Sequence, residues 1–110
     1  MKITDIPFTA VRWSAEAAVE HRGEAGTSFW RVCEAGDVRV RVVEYSKGFR
    51  SDHFCPRGHV AYVLEGEMGL KLKDGSEHLL TAGMSFLCGD DEANPHQAFS
   101  PTGARVFIVD

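Results

Sequence analysis

At 110 residues the chain has room for one hydrophobic core and not for two. Hydrophobic residues make up 44% and charged residues 25%, a globular balance that excludes disordered and fibrous classes. The net charge of −4, with arginines and lysines scattered along the chain, argues against nucleic acid, which needs a clustered basic face.

No apolar run approaches the roughly 20 residues that span a bilayer, so a membrane partner is not expected. Met1 to Asp5 lacks the apolar stretch of an export signal, which makes the cytoplasm the expected location. Cys33, Cys55 and Cys88 are odd in number, widely spaced and without a Cys-x-x-Cys pair, so they read as thiols or ligands rather than a disulfide framework.

In chain order, the first 27 residues read as an N-terminal arm, with one or two helical turns over Trp13–Glu20 capped by Ser14 and a loop over His21–Gly26. Ser28–Glu34 has the aromatic character of a strand. Asp37–Val42 alternates apolar and charged residues, the period of a half-buried strand, and Val43–Tyr45 continues it out of phase. Arg39, Arg41 and Arg50 could meet an anionic ligand, but arginines alternating on a strand are more often a solvated face, so they stay outside the candidate site. His59–Leu64 is an apolar strand, Glu65-Gly66-Glu67 a turn, and Met68–Lys73 its hairpin partner. Asp74-Gly75 leads into Glu77–Thr81; Met84–Cys88, His96–Phe99 and Arg105–Val109 follow, with a loop over Gly89–Pro95. Many short strands with frequent turns imply an all-β sandwich or barrel, here a single domain over residues 1–110 with its barrel from about residue 28.

Chemistry concentrates between Lys47 and Gly66. His53 and Cys55 are two apart, so in extended chain they leave the same face. His59 opens the next strand on the face of Ala61 and Val63, opposite Val60, Tyr62 and Leu64. Neutral imidazole and thiolate are good donors for first-row transition metals. Asp52 reads as a turn former, with a role in orienting a histidine as the sharper alternative. Cys33 and Cys88 read as core; His21 and His78 as solvent-facing; Phe29, Trp30, Tyr62, Phe86, Phe99 and Phe107 mostly as core.

Gly48 through Glu67 resembles the first motif of the cupin superfamily, Gly-x5-His-x-His-x3-4-Glu-x6-Gly. His53 stands at the first histidine, Cys55 at the second, His59 where most cupins have the glutamate, and Gly66 at the last glycine. Gly48 falls one residue too close to His53. The second motif, Gly-x5-Pro-x-Gly-x2-His-x3-Asn, is met by Gly83 and, after a longer loop, by His96, with Ser100 in the asparagine place. Asp52-His53-Phe54-Cys55, with Asp5-Ile6-Pro7-Phe8 and the closing Val106 to Asp110, resembles a subgroup of small single-domain cupins with an Asp-His-Trp-Cys signature.

The resemblance implies a double-stranded β-helix, or jelly roll, that dimerises with a second copy. It also implies one metal site made by His53, Cys55, His59 and His96. Losing the carboxylate and gaining a thiolate turns such a site toward zinc, copper or nickel, with iron still open. If Cys55 binds, the site is nearly closed; if not, three histidines leave open positions for water, oxygen or substrate. Three readings of function follow. One is a metal-dependent enzyme of oxygenase, isomerase or lyase type acting on a small organic acid or carbonyl compound. Another is a non-catalytic cupin that binds a small ligand or senses metal. The third is a redox thiol at Cys55 beside His53.

Overall fold

The computed structural model describes residues 3–110. A 3-10 turn at Trp13–Ala15 is followed by nine strands: β1 (Val19–Arg22), β2 (Thr27–Ala35), β3 (Val38–Tyr45), β4 (Phe49–Arg50), β5 (His59–Leu72), β6 (Glu77–Thr81), β7 (Ser85–Cys88), β8 (His96–Ser100) and β9 (Ala104–Val109). All pairings are antiparallel. One sheet runs β1-β2-β3-β9-β5-β7 and the other β4-β8-β5-β6. The fold class is therefore the all-β jelly roll expected from the sequence. Among the described residues no helix is long and apolar enough to cross a membrane.

β5 belongs to both sheets and closes the barrel. Its first half, from His59, pairs with β7 and β9; from Glu67 onward it pairs with β6 and β8. The register shifts between Val63 and Glu65, and Gly66 follows with φ 76°. A side chain at Gly66 would be strained and would collide with the Gly103 carbonyl. The bulge therefore falls at Leu64, Glu65-Gly66-Glu67 runs on inside one long strand rather than forming a hairpin turn, and Met68 continues β5 instead of returning along it. A bulge bends the strand without ending its ladder.

The core lies between the sheets. Val43, Ala61, Val63, Val106 and Ile108 meet Met68, Leu70 and Leu80 there. Along β5 the small-residue face is the inward one, with Val63 fully buried, while Val60, Tyr62 and Leu64 are exposed. Packing therefore uses the face that carries His59, not the bulkier one opposite.

The N-terminal part also departs from expectation. The helical segment is only the three-residue turn, and His21 and Arg22 lie in β1, paired to β2 at Ser28 and Thr27. The largest reversal is in β3. Arg41 lies opposite Ile108 of β9 and shares its inward face, so Arg39, Arg41 and Val43 point into the barrel. Arg41 is only 5% exposed.

Candidate metal centre

Three backbone devices set the site. His59 begins β5 opposite Cys88 of β7. Just before it, Gly58 donates its N–H to Asp90 Oδ1 at 2.6 Å, and a side chain there would run into the Cys88 and Gly89 backbone. Cys55, outside any named strand, forms an isolated antiparallel bridge with His96, the first residue of β8.

These devices bring Cys55, His59 and His96 together, with one potential ligand atom from each lying within 4.8 Å of the others. Both histidines are buried and Cys55 is half-buried. The two imidazoles meet edge to face at 4.9 Å between centroids. His53 lines the same cavity but stands outside this triad. It is exposed at the rim, its Nδ1 2.7 Å from Asp52 Oδ1, and this contact holds the Asp52 carboxyl below its ordinary range. Asp52 thus partners His53, the role the sequence suggested less strongly.

A second carboxylate governs His59. Asp110, its side chain 1% exposed, brings Oδ2 within 2.7 Å of His59 Nδ1. The oxygen lies off the ring N–H direction, so this is a close polar contact rather than an aligned hydrogen bond. It still favours the proton on Nδ1 and leaves the Nε2 lone pair free for an ion, as in carboxylate–histidine–metal arrangements. Arg39 grips Asp110 through two nitrogens at 2.8 and 2.9 Å, and Arg41 adds a third contact at 3.3 Å.

Burial alone would raise the Asp110 pKa; the hydrogen bonds and charge of Arg39, with Arg41, overcome it and bring the value down to about 2. His59 is pushed down to about 4, chiefly by burial and then by Arg41 and His96, against the pull of Asp110. His96 is lowered too, by burial first and then by Arg41 and His53. Both buried imidazoles are therefore neutral at pH 7 and able to donate lone pairs.

The cavity above the triad measures about 650 Å³. Its walls include Trp30, Arg39, Arg41, Phe86 and Ile108 from one sheet and Met68 and Leu70 from the other. Arg41 lies over the Trp30 ring at 4.2 Å and Arg39 at 5.4 Å. Sequence reasoning missed Asp110 and set both arginines aside as a solvated face. The signal for the arginines was present in the adjacent Val42 and Val43, which are both buried and imply that both faces of β3 are covered. Nothing local could have found Asp110, which sits 71 positions from Arg39. His21 and His78 are exposed as expected, although His21 stacks on Trp30 at 4.2 Å and borders the cavity. Cys33 and Cys88 are half-buried, and Cys88 lines a second cavity behind His59.

No protein-family model and no curated protein matches the chain. Solved structures do. An RmlC-like cupin from Shewanella frigidimarina superposes with a TM-score of 0.73 at 21% identity, over 96% of this chain and 92% of that one. The fold is that of the cupins. A predicted oxalate decarboxylase from Thermotoga maritima matches this cupin fold at TM-score 0.73 and 14% identity, covering 92% of this chain and 96% of its own. A structure described as Fe(II)-HppE with an alternative substrate matches at TM-score 0.74 and 16% identity, over 94% of this chain and 60% of that one. Within this cupin fold the triad joins residues from the β5 start, β8 and the segment between β4 and β5.

Proposed function

We propose that this cupin-fold protein binds one divalent transition metal through Cys55, His59 and His96, and uses it on a small organic acid or carbonyl compound held in the barrel cavity. The observation that carries the reading is the convergence of three soft-to-borderline donors within 4.8 Å in a half-closed cavity. The donor set fits such an ion. Zinc–nitrogen and zinc–sulfur bonds of about 2.0–2.3 Å put tetrahedral donors about 3.4–3.8 Å apart, which modest side-chain rotation reaches. Zinc, iron and nickel all accept an imidazole–thiolate set.

When bound, the metal supplies Lewis-acid activation of a carbonyl or carboxylate oxygen. The chain's own residues do the rest. Asp110 fixes which nitrogen His59 presents, and Arg39 keeps Asp110 charged. Burial keeps His59 and His96 neutral. His53, the fourth candidate donor, is held by Asp52 at the rim, which leaves a coordination position to a small molecule. The cytoplasmic setting, where thiols stay reduced, belongs to this reading, and so does a homodimer. The surface such a dimer would bury is the exposed apolar strip of Val60, Tyr62, Leu64 and Leu87. Light scattering on the pure protein tests that assembly.

One observation favours the second reading, a non-catalytic cupin that binds a small ligand or senses metal. Outside the triad, every carboxylate and imidazole that lines the cavity (Glu20, His21, Asp52 and His53) is exposed at its rim. The buried carboxylate beside the donors, Asp110, is taken up by Arg39 and Arg41 and does not line the cavity. Elemental analysis of untagged protein tests metal binding common to both readings: about one ion per chain supports them, and a trace quantity overturns them. Incubating the loaded protein with small keto acids, and following the acids by NMR, separates turnover from binding.

A further inference from the structure

We infer that Arg41 and Arg39 form a carboxylate-binding subsite beside the donor triad, so that the ligand is a small acid with an apolar body. This deepens the proposed function by choosing the acid over the neutral carbonyl compound, and only its place beside an ion rests on that reading.

The charge of the cavity is the first support. The whole chain carries −4, yet four arginines (Arg22, Arg39, Arg41 and Arg57) line this cavity against two carboxylates, Glu20 and Asp52. Those two carboxylates are exposed at the rim, whereas Arg41 is buried at depth. Asp110 lowers the excess of positive charge without removing it.

The second support is an unfilled donor. Arg39 is satisfied by its two-pronged contact with Asp110. Among the described residues, the only hydrogen bond of the Arg41 side chain is the 3.3 Å contact from Nη2 to that same carboxylate. Its Nε is buried without a partner. A guanidinium offers five N–H donors, and leaving most of them unpaired in a buried setting is costly. Trp30 compensates one face of the guanidinium plane at 4.2 Å but takes no hydrogen bond from it. Nη1 makes no hydrogen bond among the described residues and is not among the fully buried atoms, so the guanidinium keeps a donor to spare where it lines the cavity, held in plane by the indole and by Asp110.

The third support is shape. A planar fork matches a carboxylate, Ile108 and Phe86 flank it on its own sheet, and the sheet across the cavity is apolar at Met68, Leu70 and Ala98. An acid seated on Arg41 would lay its apolar part on these side chains and turn its neighbouring atoms toward the triad.

The test uses the full 15N-labelled chain, metal-free and zinc-loaded, with NMR signals of the Arg41 Nε–H and the Trp30 indole N–H as reporters. The probes are acetate, pyruvate and benzoate, with benzamide as the neutral shape control and inorganic phosphate as the competing anion. The acids are expected to shift both reporters, benzoate most strongly, while benzamide leaves them in place. Arg41→Lys, which keeps the charge and loses the fork, should weaken benzoate binding roughly tenfold or more. The inference is overturned if no acid moves the reporters, if benzamide moves them as much as benzoate, if phosphate outcompetes the acids, or if Arg41→Lys binds benzoate like the parent. The benzoate–benzamide contrast is read on the parent protein, so it decides the matter even if the variant fails to fold. Zinc uptake is measured separately: a chain that takes no zinc yet binds benzoate keeps the subsite and loses the metal reading, and the opposite pattern does the reverse.

Discussion

Cys55 and His96 face each other across a bridge of two backbone hydrogen bonds: the Cys55 amide donates to the His96 carbonyl at 2.7 Å, and the His96 amide to the Cys55 carbonyl at 3.0 Å. This pairing joins residues 41 positions apart and makes one motif's cysteine and the other motif's histidine a single rigid unit. It is the reason that the segment after β4, which has no strand of its own, can aim a donor accurately. A site held by backbone bonds from two segments is also one whose members should fail together.

Metal content should follow the triad. His96→Ala and Cys55→Ser should each lose most of the bound ion seen in the parent, whereas His53→Ala should retain about one ion per chain, because His53 stands apart with Asp52. Elemental analysis of the three variants after identical purification checks this. Loss of metal in His53→Ala equal to that in His96→Ala would show instead that His53 leaves Asp52 and closes the site.

Asp110→Asn removes the carboxylate behind His59 while keeping its shape. Outer partners of metal ligands are commonly worth about 10–100-fold in affinity, and a loss of that size is expected in a zinc competition titration. The same change strands Arg39 and Arg41, so thermal unfolding of the metal-free protein should also show a lower midpoint. Unchanged affinity would mean that His59 is oriented by other contacts.

Stability of the metal-free protein should fall in acid in two stages. His59 has a folded-state pKa of about 4 against an ordinary 6.5, so the unfolded chain takes the proton first. Its contribution is complete above pH 6.5 and is lost as the pH drops toward 4, on the order of 2 kcal/mol after solvent screening. Asp110 is depressed from 3.8 to about 2, so its contribution is present above pH 3.8 and is lost as the pH falls toward 2. Urea unfolding across this range checks both stages, and His59→Gln should flatten the first. A stability that rose between pH 6.5 and 4 would contradict the burial of neutral His59.

Thiol titration should count fewer reactive cysteines in zinc-loaded protein than after chelation, because an ion on Cys55 blocks its sulfur. All three cysteines are free, so the difference is attributable by substitution: it should vanish in Cys55→Ser and persist in Cys33→Ser. Equal reactivity with and without chelator would remove Cys55 from the donor set.

The inward face of β5 should dominate stability. Val63→Ala at a fully buried position should cost about 2–3 kcal/mol, and Leu64→Ala on the exposed face much less in the monomer. Chemical denaturation at low protein concentration measures both. The reverse order would mean that the bulky outer face is covered.

Much of this molecule is local information. Turn residues located β6 to its ends and β8 and β9 to within a residue, and period-two alternation did the same for β3, because turn chemistry and alternate side chains are both written locally. The spacing around His53, Cys55 and His59, and the second segment ending at His96, likewise placed the candidate donors in two short stretches of chain. What local patterns could not show was decided by the tertiary structure. Glu65-Gly66-Glu67 has the composition of a turn, but the two sheets need one strand in common, and the bulge at Leu64 with the positive-φ Gly66 bends β5 while keeping it continuous. Arg39 and Arg41 have the alternation of a solvated face, yet they point inward because Asp110 and Trp30 supply the charge and the ring that make their burial tolerable. The carboxylate behind His59 comes from a distant part of the sequence, and the β5–β9 and β3–β9 pairings bring it alongside His59 and Arg39. Residue types and spacing determined which side chains were available as donors; long-range pairing decided which of them meet, and which charges surround them.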